Sequence, residues 1–337
     1  MVLAATGSLD WTYKGMKVLI LESDLLRISI LLDKGSDIFE IIYKSLDVDV
    51  MWHSPNGYKD PAVHIERISR LEDEFTDNYG GGWNDVFPNY GFASANRGTK
   101  FGLHGESSLL PWSCKKIESE NGRVTATLSL DCLRYPLRAE KTLILGGSKF
   151  TVSEDIQNLG EQQLEFSWAQ HIAYGEPFVS QELQIDIPAV RAVSHDYDVS
   201  HERIKRNTEF SWPMAPGADG NPVDMTKIPD HNLRAQEDFP IVELRSPSYR
   251  LYNPTMDLGV ELKWSSAFPY LWYWLNWGIL DYPWFGRART LALEPTTTTN
   301  TNGLQNQIKD GTAVTLGAGE KLHGEIEMDL FRSNRSQ

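Results

Sequence analysis

The chain has 337 residues, a formal net charge of −14, and 41% hydrophobic and 11% aromatic residues. That charge argues against nucleic acid and anionic membrane surfaces as partners, since both would repel it. The apolar fraction suffices for a large core, and one β-sandwich domain spanning residues 1–337 is expected, because all-β domains often reach this length.

Two cysteines, Cys114 and Cys132, form no CxxC motif, no Cys/His cluster and no disulfide framework, which points to a reduced, cytoplasmic setting. The opening MVLAATGSLDW has no basic region and too short an apolar run for a secretory signal. No stretch of about 18 apolar residues occurs, so no membrane helix is expected. Eleven tryptophans are many for this length; aromatic residues fill cores and also line ligand sites.

In chain order, residues 16–21 and 26–32 alternate as short strands. KDPAVHIERISRLEDEF then predicts a helix. Asp60 is placed to cap it, Pro61 suits the first helical position, and Ile65, Ile68, Leu71 and Phe75 recur at helical spacing. Its acidic C-terminal half opposes the helix dipole, and Gly80 to Gly82 end it. In KFGLHGESS, Phe101 and Leu103 share one face, so His104 falls on the other at a strand end. RVTATLSLDC places Val124, Ala126, Leu128, Leu130 and Cys132 on one face. Strands follow over 136–145, 149–157 and 162–170. Within QLEFSWAQHIAYGEPF, Leu164, Phe166 and Trp168 oppose Glu165, Ser167, Ala169 and His171, and His171 stands where that strand gives way.

Residues 195–240 are rich in Pro, Gly and Asp and read as a long loop excursion, a candidate rim of a site. Strands resume over 257–263 and 270–277. FPYLWYWLNWG puts Tyr270, Trp272, Trp274 and Asn276 on one face and Leu271, Tyr273, Leu275 and Trp277 on the other. One set belongs to the core and the other is a candidate cleft wall; Trp277, beside a glycine, is singled out as a candidate ligand-stacking residue. In TLALEPTTTTN, Thr290, Ala292 and Glu294 oppose Leu291, Leu293 and Pro295, leaving a carboxylate at a strand end. Strands over 312–316 and in KLHGEIEMDLF close the chain. Turns at Asn121-Gly122, Gly146-Gly147 and Gly317 to Gly319 punctuate the pattern. The fold class is all-β, a sandwich of antiparallel sheets with one or two short helices.

Two histidines and one glutamate thus lie off the core faces near strand ends. Taken with their neighbours, these stretches resemble the aldose 1-epimerase (galactose mutarotase) family from about residue 80 to 330, in the family's order. FPNYGFASANRGTKFGLHGE is similar to the segment in which an Asn-Arg pair precedes a Leu-His-Gly motif. EFSWAQHIAYGEPF resembles the strand carrying the second histidine, and TLALEP the Glu-Pro segment holding the catalytic carboxylate. VSEDIQNLGEQQLEF and LGAGEKLHGEIEMDLF resemble the mid-chain strand pair and the closing turn and strand.

The resemblance implies a galactose-mutarotase-like supersandwich with a sugar cleft on its concave face. It implies Glu294 as general base, His171 as general acid, His104 as a second donor steadying the substrate ring, and Arg97 as a ligand for sugar hydroxyls. It calls for no metal or organic cofactor. A small-molecule sugar is the expected partner, and a monomer or homodimer the expected assembly. An ordinary Glu, with a pKa near ~4.3, is ionised at neutral pH, and a carboxylate close by favours protonated imidazole.

The chain departs from the family in places. Glu106 follows Gly105 where the family has a second glycine, which would put a carboxylate near His104, and IAYGEPF replaces the family's proline–aromatic pair after the second histidine. The family's sugar-binding aspartate, expected between His171 and Glu294, has no clear counterpart; Asp85 in GGWNDVFPN is an alternative polar group for the cleft. Other readings of the same residues are a non-catalytic sugar-binding module on this fold, and a hexose-phosphate 1-epimerase drawing on Arg97, Lys100, Arg287 and Arg289. A glycoside-cleaving enzyme would pair Glu294 with Glu176 or Glu106. A cupin-like metal protein is disfavoured, because HIAYGE lacks a preceding His-x-His.

Overall fold

In the strand Arg123–Asp131, Val124, Ala126, Leu128 and Leu130 are buried while the residues between them are at least partly open. This two-residue period recurs along the chain and commits one face of each such strand to a core. The structure is a computed structural model and describes residues 4–63 and 74–333.

The described residues form two large antiparallel sheets. The larger has twelve strands. Its path runs Thr6–Tyr13, Met16–Glu22, Leu26–Leu31, Asp37–Tyr43, Trp83–Val86, Ala169–Gly175, Arg289–Thr296, Tyr270–Trp277, Ala235–Leu244, Ala189–Val193 and Glu209–Ser211, with Val48–Asp49 paired beside Asp37–Tyr43. The smaller has eight, in the order Gln184–Asp186, Ser248–Asn253, Leu258–Trp264, Lys321–Phe331, Lys149–Asn158, Leu137–Gly146, Arg123–Asp131 and Ser113–Glu120. The sheets pack face to face. Ile172, Tyr174, Leu271, Leu275, Leu291 and Leu293 of the larger join Val124, Leu128, Phe150, Val152, Leu262 and Met328 of the smaller in one core. Each such side chain contributes about 1.5–3 kcal/mol on burial, so the register of these strands is strongly specified. The all-β sandwich expected from the alternation is the observed fold.

Committing the leucines to the core forces their neighbours to the opposite face. Glu294, Ala292, Trp272, Trp274 and Asp238 therefore project away from the smaller sheet; Glu294 lies opposite Trp272, and Asp238 opposite Trp274.

Several local expectations need correction. The predicted helix is helical at residues 61–63, where Asp60 Oδ1 accepts the Ala62 N–H at 2.9 Å, and again at Glu74–Asn78 with Phe75 buried. Ile65, Ile68 and Leu71 lie outside the described residues. A further short helix, Leu304–Lys309, follows the threonine run. Residues 195–240, read as a loop, contain the short strands Glu209–Ser211, Met214–Pro216 and Pro222–Asp224 and the start of Ala235–Leu244, an inner strand of the larger sheet.

Asp85 does not reach the cleft. It shares the inward face of Trp83–Val86 with Trp83, which packs in the core. There it forms a buried ion pair with Lys141 and accepts from the Trp168 indole at 3.2 Å and from the Gln170 amide. Lys141 occupies a core position opposite Leu128, stands 4.1 Å from the centre of the Trp112 ring, and donates to Ser36 Oγ at 2.6 Å. A buried ammonium without a counter-charge is costly, and Asp85 supplies that charge.

Candidate active site

The strand predicted over 162–170 is two strands. Leu164–Phe166 pairs with Val314–Leu316; the chain then crosses into the larger sheet as Ala169–Gly175, all seven of whose residues are buried. His171 therefore lies inside a strand rather than at the end of one. The pairings Ala169↔Thr296 and Ala173↔Ala292 place it directly across from Glu294 on the cleft face. His171 Nε2 lies 3.5 Å from Glu294 Oε1.

His104 is not on a strand. It follows Thr99–Phe101 in a turn at φ 60, a left-handed conformation uncommon outside glycine. Gly105 continues the turn at φ 73, where an added Cβ would lie 2.6 Å from the Phe87 carbonyl oxygen, so only glycine fits. The Gly91 N–H donates to His104 Nδ1 at 3.1 Å, and the His104 N–H donates to the Gly91 carbonyl at 2.9 Å. With Nδ1 an acceptor, the neutral ring carries its proton on Nε2 and is a donor there. Its ring centre is 5.8 Å from that of His171.

These three side chains line one cavity of about 480 Å³. Its walls include Phe75, Tyr79, Tyr90, Trp272, Trp274 and Trp284, a largely aromatic lining. Tyr90 OH donates to Glu294 Oε2 at 2.9 Å, and Tyr79 OH lies 3.4 Å from His171 Nδ1. Tyr197, Asp198, Val199 and Ser200 also border the cavity, and Ser200 Oγ donates to Asp281 at 2.7 Å between two of its lining segments.

Burial governs the charges. Glu294, 2% exposed, has its pKa pushed well above the usual carboxylate range by burial; Tyr90's hydrogen bond pulls it down and the nearby Asp238 charge pushes it up. The ordinary value expected of Glu294 from the sequence does not hold. Burial likewise lowers His171 to about 4, against the expected bias toward imidazolium. His104 is held well below 6.5, first by burial and then by His171.

Asp238 is the residue that sequence reasoning missed. It lies between His171 and Glu294 in the chain, borders the cavity, and accepts hydrogen bonds from the Tyr197 hydroxyl and the Trp272 indole. Burial raises its pKa against those donors. The signal was the alternation Ala235, Glu237, Phe239 against Gln236, Asp238, hidden by reading 195–240 as a loop.

The remaining candidates lie elsewhere. Arg97 is on the surface, 42% exposed, in a two-point pair with Glu165 (3.1 and 3.2 Å). Trp277 belongs to the core face of its strand and donates to the Asp230 carbonyl at 3.1 Å; Trp272 and Trp274, on the opposite face, form the cleft wall. Glu106 accepts from the backbone N–H groups of Leu133 and Arg134 at 3.2 and 3.0 Å, which occupies the carboxylate expected to perturb His104.

Among the described residues, no group of three His, Cys, Asp or Glu side chains could hold a metal ion, and no helix is long and apolar enough to cross a membrane.

Many solved structures share the architecture, among them the following three. The Slr1438 protein from Synechocystis is 17% identical, with a TM-score of 0.68 over 97% of this chain and 99% of that one. A galactose mutarotase-like protein from Clostridium acetobutylicum is 12% identical, with a TM-score of 0.71 over 98% of this chain and 99% of that one. Another from Lactobacillus casei is 15% identical, with a TM-score of 0.59 over 93% and 100%. At these identities the likeness is one of fold, and it bears out the resemblance read from the sequence at that level: the chain has the antiparallel β-sandwich of these structures. No curated protein matches the chain. The family model described as Domain of unknown function (DUF4432) matches residues 13–330, and the chain belongs to that family.

Proposed function

We propose that the protein is an aldose 1-epimerase, interconverting the α and β anomers of a sugar by acid–base ring opening and closure. The observation that carries this is the His171–Glu294 pair, 3.5 Å apart on adjacent strands and facing an aromatic cavity of about 480 Å³.

Mutarotation breaks and remakes one bond. A base removes the proton from the anomeric hydroxyl, O1, while an acid protonates the ring oxygen, O5. The C1–O5 bond opens to an aldehyde and a free hydroxyl, C1–C2 rotates, and the reverse transfers close the ring on the other face. Glu294 is the base, His171 the acid, and His104 Nε2–H a donor to the substrate. The pair needs one proton in total, and a completed cycle leaves that proton where it began. Burial alone favours the neutral form of both groups; a polyhydroxy substrate donating to the Glu294 carboxylate, as Tyr90 does, favours the ionic form that starts the reaction. A raised Glu294 pKa makes it a stronger base than a surface carboxylate, closer to the optimum for catalysis near neutral pH. Asp238 provides an acceptor for sugar hydroxyls, and Trp272 and Trp274 offer faces for the C–H groups of a pyranose.

The substrate class follows from charge. Asp198, Asp238, Asp281 and Glu294 border the cavity, and among the described residues lining it there is no lysine or arginine. This supports an uncharged aldose over a phosphorylated or sulfonated one.

NMR exchange spectroscopy on a panel of neutral and anionic aldoses tests the reading. The wild type is expected to accelerate α/β exchange of at least one neutral sugar. Glu294→Gln and His171→Asn are each expected to reduce the rate by roughly 100- to 10,000-fold with folding intact. Full exchange in Glu294→Gln would remove it as the base, and sugar binding without exchange by the wild type would make the protein a carbohydrate-binding module instead.

A further inference from the structure

We infer that Tyr90 is a positioning residue of this site: its hydroxyl fixes the orientation of Glu294 and governs how readily that carboxyl ionises, and so sets the pH range of the acid–base pair. The inference rests on the reading of Glu294 and His171 as that pair. Three observations carry it.

First, the Tyr90 hydroxyl donates to Glu294 Oε2 at 2.9 Å, while His171 Nε2 faces the other oxygen, Oε1, at 3.5 Å. One carboxyl oxygen is tethered and the other is turned toward the acid. Among the described residues, Tyr90 makes the one close hydrogen bond to this carboxyl.

Second, Tyr90 is itself immobilised. It is 1% exposed, its N–H donates to Ser167 Oγ at 2.7 Å, and its carbonyl accepts from Gln307 Nε2 at 2.7 Å. The preceding Asn89 donates to the Gly102 and Phe92 carbonyls at 3.0 Å and accepts the Leu304 N–H at 2.8 Å. A donor held this way arrives pre-oriented.

Third, the same segment serves both flanks of the site. The Tyr90 ring stacks on His104 (centroids 5.3 Å apart, planes at 23°), and the next residue, Gly91, fixes the His104 tautomer.

The groups facing Glu294 come from every element packed around it. His171 lies on its neighbour strand with His104 beyond, Tyr79 follows the short helix Glu74–Asn78, and Asp238 comes from Ala235–Leu244; behind the sheet, in the core, Tyr249 of the smaller sheet is within reach of the Glu294 charge. Asp238 opposes ionisation of Glu294, and the Tyr90 hydrogen bond favours it. A hydrogen bond to a carboxyl oxygen favours the ionised form, so losing the hydroxyl raises the Glu294 titration by about one unit or more.

Tyr90→Phe keeps the ring on His104 and removes only the hydroxyl. Two measurements read it. In protein carrying ¹³C-carboxyl glutamate, with the Glu294 resonance assigned by its loss in Glu294→Gln, the titration midpoint is expected to move up by about one pH unit. In the pH–rate profile of anomer exchange, the limb governed by Glu294 is expected to move the same way, with kcat falling about tenfold and KM nearly unchanged. A side chain that merely fills space moves neither. An unchanged or lowered midpoint overturns the inference. The NMR titration requires no turnover, so a raised midpoint without anomer exchange retains the role of Tyr90 and sinks the mutarotase reading alone.

Discussion

A carboxyl with 2% exposure and one close hydrogen bond is chemically unlike one at the end of a surface strand, and Glu294 is the former. Its sequence position gives the side chain's direction but not its surroundings. Burial then decides its proton affinity, which is why the ordinary glutamate value failed here. Arg97 shows the converse. Its place in an Asn-Arg pair marked it as a sugar ligand, yet its guanidinium is spent on Glu165 at the surface. Arg97→Ala is therefore expected to leave exchange kinetics within about twofold of wild type, since exposed ion pairs contribute little. A large rise in KM on the same sugar panel would return Arg97 to the site.

Elements with strict alternation were legible from sequence. Residues 270–277 and 321–331 are strands over the predicted spans, and those near 16–21, 136–145 and 257–263 differ by a residue or so at their ends. Two elements buried on both faces were not. Ala169–Gly175 has no polar face to create a period, and Asp37–Tyr43 is nearly continuous in its burial. The type and alternation of His171 mark it as a candidate although its strand starts later than the alternation predicts, whereas the strand carrying Asp238 is hidden in a stretch of loop-like composition. Trp277 stands out in the sequence because it ends its strand beside a glycine, but periodicity pairs residues on a face without saying which face is the core, and the cleft face is that of Trp272 and Trp274. The pairing of Asp85 with Lys141 belongs to this scale too, since it ties a strand of one sheet to a strand of the other. Asp85→Asn removes the nearer of the two carboxyls beside a buried ammonium, leaving Glu154 at 3.9 Å, and is expected to cost about 3 kcal/mol in urea unfolding. If stability holds while sugar binding is lost, Asp85 acts in the cleft after all.

For the whole molecule, the buried imidazoles link stability to pH. His171 titrates at about 4 when folded and His104 well below 6.5, so between about 4 and 6.5 the unfolded chain binds more protons at these two sites, and their contribution to stability rises with pH. Glu294 acts with the opposite sign: its folded pKa is raised, so its contribution is present below about 4.5 and is lost as pH rises through the folded value. In denaturant melts across this range, the stability of wild type relative to His171→Asn is expected to increase as pH rises. An identical slope would mean that His171 titrates normally.

By itself, the sequence determined the class of fold, most of the strands of the smaller sheet, and three chemically apt side chains. Those follow from periods and residue types that act within a few positions along the chain. Only the tertiary structure decided that His171 stands across from Glu294, that Tyr90 tethers the carboxyl, that Asp238 joins them while Asp85, Arg97 and Trp277 do not, and that burial resets the proton affinities. These depend on which strands become neighbours and which face is covered, and both are set by packing between segments more than a hundred residues apart, as Tyr90 and Glu294 are.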